Sequence, residues 1–255
     1  MSLRSIVPEQ TLTHPVGNNH IKNLCEIIAK QDCAILPSEA VRSLLLAEDE
    51  SALDDWADFQ ESWNHLEQDQ FMKDGGTYRF RRHGIYSATP GAEVQLEPPQ
   101  PHYQSVAYNT LNGGVARYFS PITPFVASGK ILISALEMCR STFSQLAPFY
   151  DWHIEVHQFR IVATSDETLP TPEGIHRDGV SFVFMMLVNR VNVLNGETSI
   201  YNRDRHQLAR YTLAKPFEAA IVNDERTMHG VTPILAEDVT QRGYRDVLVI
   251  TFNKR

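Results

Sequence analysis

The sequence predicts an α+β fold, a helical first third followed by a β-rich remainder, on three observations. Apolar residues in the first fifty positions recur three and four apart. Residues 128–146 keep that spacing over one long stretch, and after residue 149 the chain breaks into short apolar runs divided by turn residues. Many short strands, short turns and one covering helix imply a double-stranded β-helix, a cupin-like jelly roll. The N-terminal helices and the long helix would pack outside its sheet.

Helices are expected at residues 19–31 and 38–48, the second opened by Pro37-Ser38, and an acidic helix at 51–68 with its charges in solvent. Short β-like runs follow at 78–86 and 92–96; the arginines and aromatics that alternate over 78–82 suit an exposed or edge strand. Residues 91–103, rich in Pro, Gln and Glu, form a loop, either beside a site or on plain surface. The helix at 128–146 sets Ile131, Leu132, Ala135, Leu136, Cys139, Phe143 and Leu146 on one face, so Cys139 is core, and Cys25 is expected to be core too. Further strands are expected at 152–164, 181–191, 197–201, 208–213, 218–222, 230–234 and 244–253, with Asn195-Gly196 as a hairpin turn. Gly113-Gly114 has no helix start and no following Lys-Ser/Thr, and reads as a tight turn, not a phosphate loop. One domain is expected over 1–255, its helical region at 1–76 and its jelly-roll core at 77–255.

A net charge of −8 argues against nucleic acid or an anionic membrane as the partner, and in favour of a small molecule. The three cysteines lack ligand spacing or an even count, which points to a reducing compartment. Residues 1–15 lack the apolar core of a signal peptide, and the longest apolar run, 182–188, is too short to span a bilayer. The expected location is the cytoplasm, with no membrane partner; a homo-oligomer is compatible with the sequence.

Chemistry concentrates in PEGIHRDGVSF, where His176 and Asp178 stand two apart. On an extended strand such residues share a face, so both can converge on one ion. His229, in NDERTMHGVTPI, follows after enough strands to return to the same opening. Two imidazoles and one carboxylate on one side of an Fe(II) ion form a facial triad and leave three positions open. A bidentate 2-oxo acid fills two of them and O2 the third. Arg245, on the terminal strand GYRDVLVITF, can hold the far carboxylate of 2-oxoglutarate through paired hydrogen bonds.

A rival set, His153, Glu155 and His206, has similar spacing, but His206 lies in a polar turn and Arg210 follows too soon to return on another strand. His65 and Glu67 fall in the helical region and suit the surface. Arg117 and Arg160 are candidates for a substrate carboxylate, Arg160 sharing a strand face with Gln158, or else forming a structural ion pair. Asp224 and Glu225 are placed to orient the His229 imidazole.

The segments YRFRRHG, GGVARYFSPI, PTPEGIHRDGVSFV, NGETSIY, NDERTMHGVTPI and GYRDVLVITF resemble the Fe(II)/2-oxoglutarate dioxygenases of the bacterial L-isoleucine 4-hydroxylase-like type, which hydroxylate free L-amino acids. The resemblance covers residues 77–255. It implies His176, Asp178 and His229 as iron ligands and Arg245 as the co-substrate anchor, with Arg242 three residues earlier as the alternative. The implied reaction oxidises a free amino acid with an aliphatic or thioether side chain and releases succinate and CO2. Two other classes stay open: a jelly-roll metalloprotein that uses no oxo acid, such as another iron oxygenase or an isomerase, and a non-catalytic binding or regulatory protein. Arg245 discriminates against the first, and an intact triad of costly buried polar groups against the second.

Overall fold

The computed structural model describes residues 20–255; the leader reading of residues 1–15 and the first residue of the expected helix at 19–31 lie outside them. Helices are α1 (His20–Gln31), α2 (Ser38–Glu48), α3 (Trp56–Glu61), α4 (Pro124–Ala127) and α5 (Lys130–Leu146). Strands before α5 are β1 (Cys33–Leu36), β2 (Glu67–Gln68), β3 (Arg79–Ala88) and β4 (Gln95–Leu96). After it come β5 (Trp152–Ala163), β6 (Phe182–Val191), β7 (Val193–Asn195), β8 (Thr198–Asn202), β9 (Gln207–Tyr211), β10 (Ala219–Asn223), β11 (Thr227–Val231), β12 (Ile234–Ala236) and β13 (Gly243–Lys254).

The large sheet runs β1-β10-β6-β13-β5-β3-β2, with β4 added on β3, and its pairs are antiparallel. A three-stranded sheet, β11-β8-β9, and a two-stranded one, β12-β7, accompany it. Side chains alternate across a pleated strand, so each long strand serves two environments. Even-numbered residues of β5, β6 and β13, such as Trp152, Ile154, Phe184, Met186, Ile250 and Phe252, pack under α5 and the N-terminal helices. There Phe143 stacks on Phe182 with ring centres 4.6 Å apart. Odd-numbered Val183, Met185, Leu187 and Val247 face the other way and join Ile200 of β8 and Ala209 of β9. Cys25 and Cys139 are both buried and free, in the core as expected.

Three expectations are corrected. The acidic helix at 51–68 shortens to α3 and a 3-10 turn, Ser62–His65. Its continuation is interrupted where Trp63 turns inward, its indole N–H donating to the Phe159 carbonyl at 3.0 Å. The arginine-rich strand is no edge: β3 lies between β5 and the short β2 and β4, and Arg79 and Arg81 are buried on its odd face. Asn195-Gly196 does adopt the positive φ expected of it, but β7 and β8 do not pair with each other. Instead β7 pairs with β12 and β8 with β11, in one continuing register that the turn interrupts.

On the helix side of β5, Arg160 donates twice to Asp246 of β13, each bond 2.7 Å, and once to Asn64 at 2.8 Å. Both charges are buried, so removing one strands the other in a poorly solvating environment. Asp246→Ala is expected to lower unfolding free energy by about 3–5 kcal/mol. Asp54→Ala, which breaks the exposed pair with Lys130, should cost less than about 1 kcal/mol. Urea unfolding of the two variants checks this; equal losses would contradict the burial argument.

Candidate active site

His176 and Asp178 precede β6, and they sit in a loop rather than on the regular strand expected for them. One bridge supplies the extended geometry: His176 and His229 exchange two backbone hydrogen bonds of 2.9 Å. His229 is carried by β11, which pairs with β8 through His229 and Ile200. Asp224, fully buried after β10, pins the loop by accepting the backbone N–H groups of Asp178, Gly179 and Val180 at 3.0, 2.8 and 3.2 Å. Its other expected task is not met by direct contact, since the Asp224 carboxylate lies 4.0 Å from His229 Nδ1. Glu225 turns away to Ser181 and Lys254.

The three side chains converge. His176 Nε2 lies 3.6 Å from Asp178 Oδ1, and His229 Nε2 lies 3.5 Å from Asp178 Oδ2. Both separations are too long for a good hydrogen bond, yet one ligand atom from each residue lies within 4.8 Å of the others. That is the arrangement of donors that share an ion. His176 Nδ1 donates to the Gly174 carbonyl at 2.9 Å, which leaves its Nε2 lone pair for a metal. Burial pushes His229 down to about 4. Burial also opposes a charge on His176, but the Asp178 and Glu173 carboxylates raise it to about 9. Asp178 is held below the usual carboxylate range despite its burial, by the His176 and His229 imidazoles beside it. The donor set and tautomer fit a divalent iron ion.

These residues line a cavity of about 520 Å³ between the large sheet and the smaller ones. Arg245 also lines it, 5% exposed, with its buried Nε unpartnered. Burial and the nearby Arg190 push its guanidinium down to about 10, so an anion there would relieve both. Arg242 is exposed, stacks over Tyr244 and does not line the cavity.

Elsewhere in the cavity the odd faces of β3 and β5 bring Arg79, Arg81, His153, Glu155 and His157 together. Arg79 and Arg81 share the buried Asp69, at 2.8 and 3.6 Å. Arg81 lies against Phe119 and Phe159, 3.6 and 4.4 Å from their ring centres. Arg117 lines the cavity too and donates to Gln104 Oε1 at 2.8 Å, while Gln104 Nε2 donates to Asp178 Oδ1 at 3.0 Å. Gly113 allows this: a side chain there would collide with the Asn109 and Ser105 carbonyls, in the segment that carries Gln104.

Arg160 and Gln158 are not brought to the cavity. Strand parity sends both to the helix side, where Arg160 pairs with Asp246 and Gln158 with Ser62. Of the rival set, His153 and Glu155 line the cavity, but His206 is exposed in its turn. Glu155 gathers other imidazoles instead, accepting from His83 at 2.9 Å, from His102, and more distantly from His153 at 3.3 Å. Burial opposes its charge, yet these hydrogen bonds hold it ionised. Its contacts with His83 and His102 are of hydrogen-bond length, unlike the 3.5–3.6 Å spacings around Asp178. His65 and Glu67 are exposed, as expected. Sequence reading missed Asp69, Gln104 and Glu173; only the odd-position alternation in RFRRH carried a signal, and it was assigned to solvent.

Comparison with known proteins agrees with this geometry. The 3(1)-hydroxy-L-isoleucine 4-dioxygenase of Pantoea ananatis (strain AJ13355) is 23% identical over 235 residues, 89% of this chain and 94% of that protein. The crystal structure of a bsmA homolog from Methylobium petroleophilum PM1 superposes with a TM-score of 0.79 at 30% identity, covering 94% of each chain. That of IDO from Bacillus thuringiensis gives 0.76 at 20% identity, over 92% of this chain and 99% of that one. The family model described as 2OG-Fe dioxygenase matches residues 60–251, a span that holds the converging histidines and aspartate, Arg245 and the cavity-lining residues of β3 and β5. The chain therefore belongs to the 2OG-Fe dioxygenase family, oxidoreductases that work with Fe(II), 2-oxoglutarate and O2.

Proposed function

We propose that this enzyme hydroxylates a free L-amino acid with an aliphatic or thioether side chain, using iron held by His176 Nε2, His229 Nε2 and the Asp178 carboxylate. The convergence of those three groups in one cavity carries the reading. Arg245 takes the far carboxylate of 2-oxoglutarate; it is buried and lacks a carboxylate partner of its own in the cavity. A metalloprotein without an oxo acid would leave that guanidinium without a use. Arg117 receives the substrate's carboxylate, and the amino-acid substrate is supported by the relative that acts on a hydroxy-L-isoleucine.

The two facing sheets are read as a double-stranded β-helix, and the chain as one dioxygenase domain. Three buried free thiols suit a reducing compartment, in keeping with the expected cytoplasm. No described helix is long and apolar enough to cross a membrane.

When bound, iron with 2-oxoglutarate and O2 supplies the oxidant: one oxygen atom enters the substrate C–H bond as hydroxyl, the other enters succinate, and CO2 leaves. The residues of the chain do the rest. His176 keeps its Nε2 available because Nδ1 is tied to Gly174, and Asp224 holds the Asp178 backbone against the β10–β11 turn. Gln104 orients the Asp178 carboxylate from the substrate side. The apolar wall of Val231, Val247 and Val249 excludes water from the space between Arg245 and the polar groups of β3 and β5.

Adding Fe(II) and 2-oxoglutarate without oxygen should give the weak visible band of a chelated oxo acid. His229→Ala should abolish it, Arg245→Ala should weaken 2-oxoglutarate binding by about tenfold or more, and Arg242→Ala should leave it unchanged. Iron binding without the band would sink the oxo-acid role, and no iron binding would sink the ligand set. Asp224→Ala is expected to lower iron affinity about 10–100-fold by freeing the Asp178 loop, while Glu225→Ala has no effect. A metal titration followed by thermal unfolding distinguishes them, since an ion that binds only the folded chain raises Tm.

A further inference from the structure

The polar end of the cavity holds more charge than one anchoring arginine needs. Arg79 and Arg81 share one carboxylate, Asp69, which does not reach Arg117. Arg81 and Arg117 are 4% and 2% exposed, and the Nε of each is buried without a partner. Arg117 bonds only to the neutral Gln104 amide, and Arg81 donates from Nη2 to His157 Nδ1 at 2.6 Å. Buried donors of this kind are costly unless a ligand completes them.

Across His157 stands the opposite charge. His157 Nε2 lies 3.5 Å from Glu155 Oε2, so one imidazole separates the Arg81 guanidinium from the Glu155 carboxylate. The two cannot neutralise each other directly. The other groups on Glu155 are imidazoles, and burial pushes His83 and His157 toward their neutral forms. Oε1 has only the 3.3 Å contact with His153, and Glu155 lines the cavity. The cavity thus presents guanidinium N–H groups without partners and, one imidazole away, a carboxylate whose Oε1 has a single long contact.

Both lie beside the proposed iron centre. Residues 102 and 104 belong to one short segment: His102 touches Glu155, and Gln104 touches Arg117 and Asp178. His102 is also backbone-paired with Arg117 in both directions, at 2.9 Å. The space bounded by Arg81, Arg117 and Glu155 therefore adjoins Asp178. A ligand that completes both groups carries a carboxylate and a cation close together, as the head of an α-amino acid does.

We infer that Arg81 and Arg117 bind the substrate's α-carboxylate and Glu155 its α-ammonium, so that the enzyme selects zwitterions over simple acids and amines. This rests on the amino-acid reading above and adds which groups enforce it. Glu173 is the competing carboxylate, with Oε1 at 3.5 Å from His176 Nε2 and a buried, unpartnered Oε2. Glu155 is assigned the ammonium because it adjoins Arg81 through His157, whereas Glu173 stands at the histidine proposed for iron.

The test uses the full chain loaded with Fe(II) and 2-oxoglutarate without oxygen. Binding of the standard L-amino acids, and of the des-amino acid and des-carboxy amine matching each, is measured by calorimetry and by perturbation of the visible band. Wild type should bind at least one amino acid and prefer it to both analogues. Glu155→Gln should weaken the amino acid by about tenfold or more and leave the des-amino acid nearly unchanged; Arg117→Gln should do the reverse with the amine. The band itself should persist in both variants, which separates this outcome from a damaged fold or a lost iron site. If the band forms but wild type binds no amino acid, or Glu155→Gln keeps its preference, the inference is overturned. Loss of the preference in Glu173→Gln alone would overturn the assignment to Glu155.

Discussion

Alternation along four long antiparallel strands is the constraint on which the rest of the structure depends. On β3, β5, β6 and β13 one parity packs against helices and the other faces a cavity, so a single backbone satisfies an apolar core and a polar site at once. The register between β3 and β5 sets Arg81 opposite Phe159 and His83 opposite His157, and thereby fixes which charged groups meet. Register is strongly specified here because a one-residue slip would send Trp152, Ile154 and Val156 into the cavity and Glu155 into the core. Such an exchange combines lost apolar burial with a buried unpaired charge.

The site itself comes from a different layer. Its proposed iron ligands stand on β11 and on the loop before β6, joined by two backbone hydrogen bonds and by Asp224. Of the groups that would hold organic molecules, Arg245 stands on β13, Glu155 on β5 and Arg81 on β3 of the large sheet, and Arg117 on the loop before α4. Gln104 links Asp178 to that loop, accepting from Arg117 and donating to Asp178. Electrostatically the cavity is polarised. At Arg245 burial and a like charge leave a guanidinium in want of an anion, while the other groups alternate positive and negative over short distances.

Much of this was legible in the chain, for identifiable reasons. The helix at 128–146 and the long strands announced themselves through period, and His176, Asp178 and His229 through spacing and chain distance. The face of Arg160 was not legible, because alternation tells which residues share a side and not which side is inward. Arg81 and Arg79 failed for a related reason: charged residues are usually exposed, and the prior gives way only where a partner such as Asp69 is present, ten residues from Arg79 in an otherwise featureless polar stretch. Gln104 could not be found at all, since its role depends on a loop whose path no periodicity describes. Asn195-Gly196 showed the converse, a local conformation read correctly and a pairing read wrongly, because turn chemistry specifies φ and not the partner strand.

The double backbone bridge between His176 and His229 makes the spacing of these two imidazoles independent of the pocket beside them. Neither β3 nor β5 takes part in it. Exchanges at Arg81, Glu155 or Phe159 can therefore remodel the shape and charge of the chamber while the histidine pair keeps its geometry. The fold thus separates the proposed iron site from the wall proposed to recognise substrate, a division of labour under which one scaffold can be refitted to different small molecules.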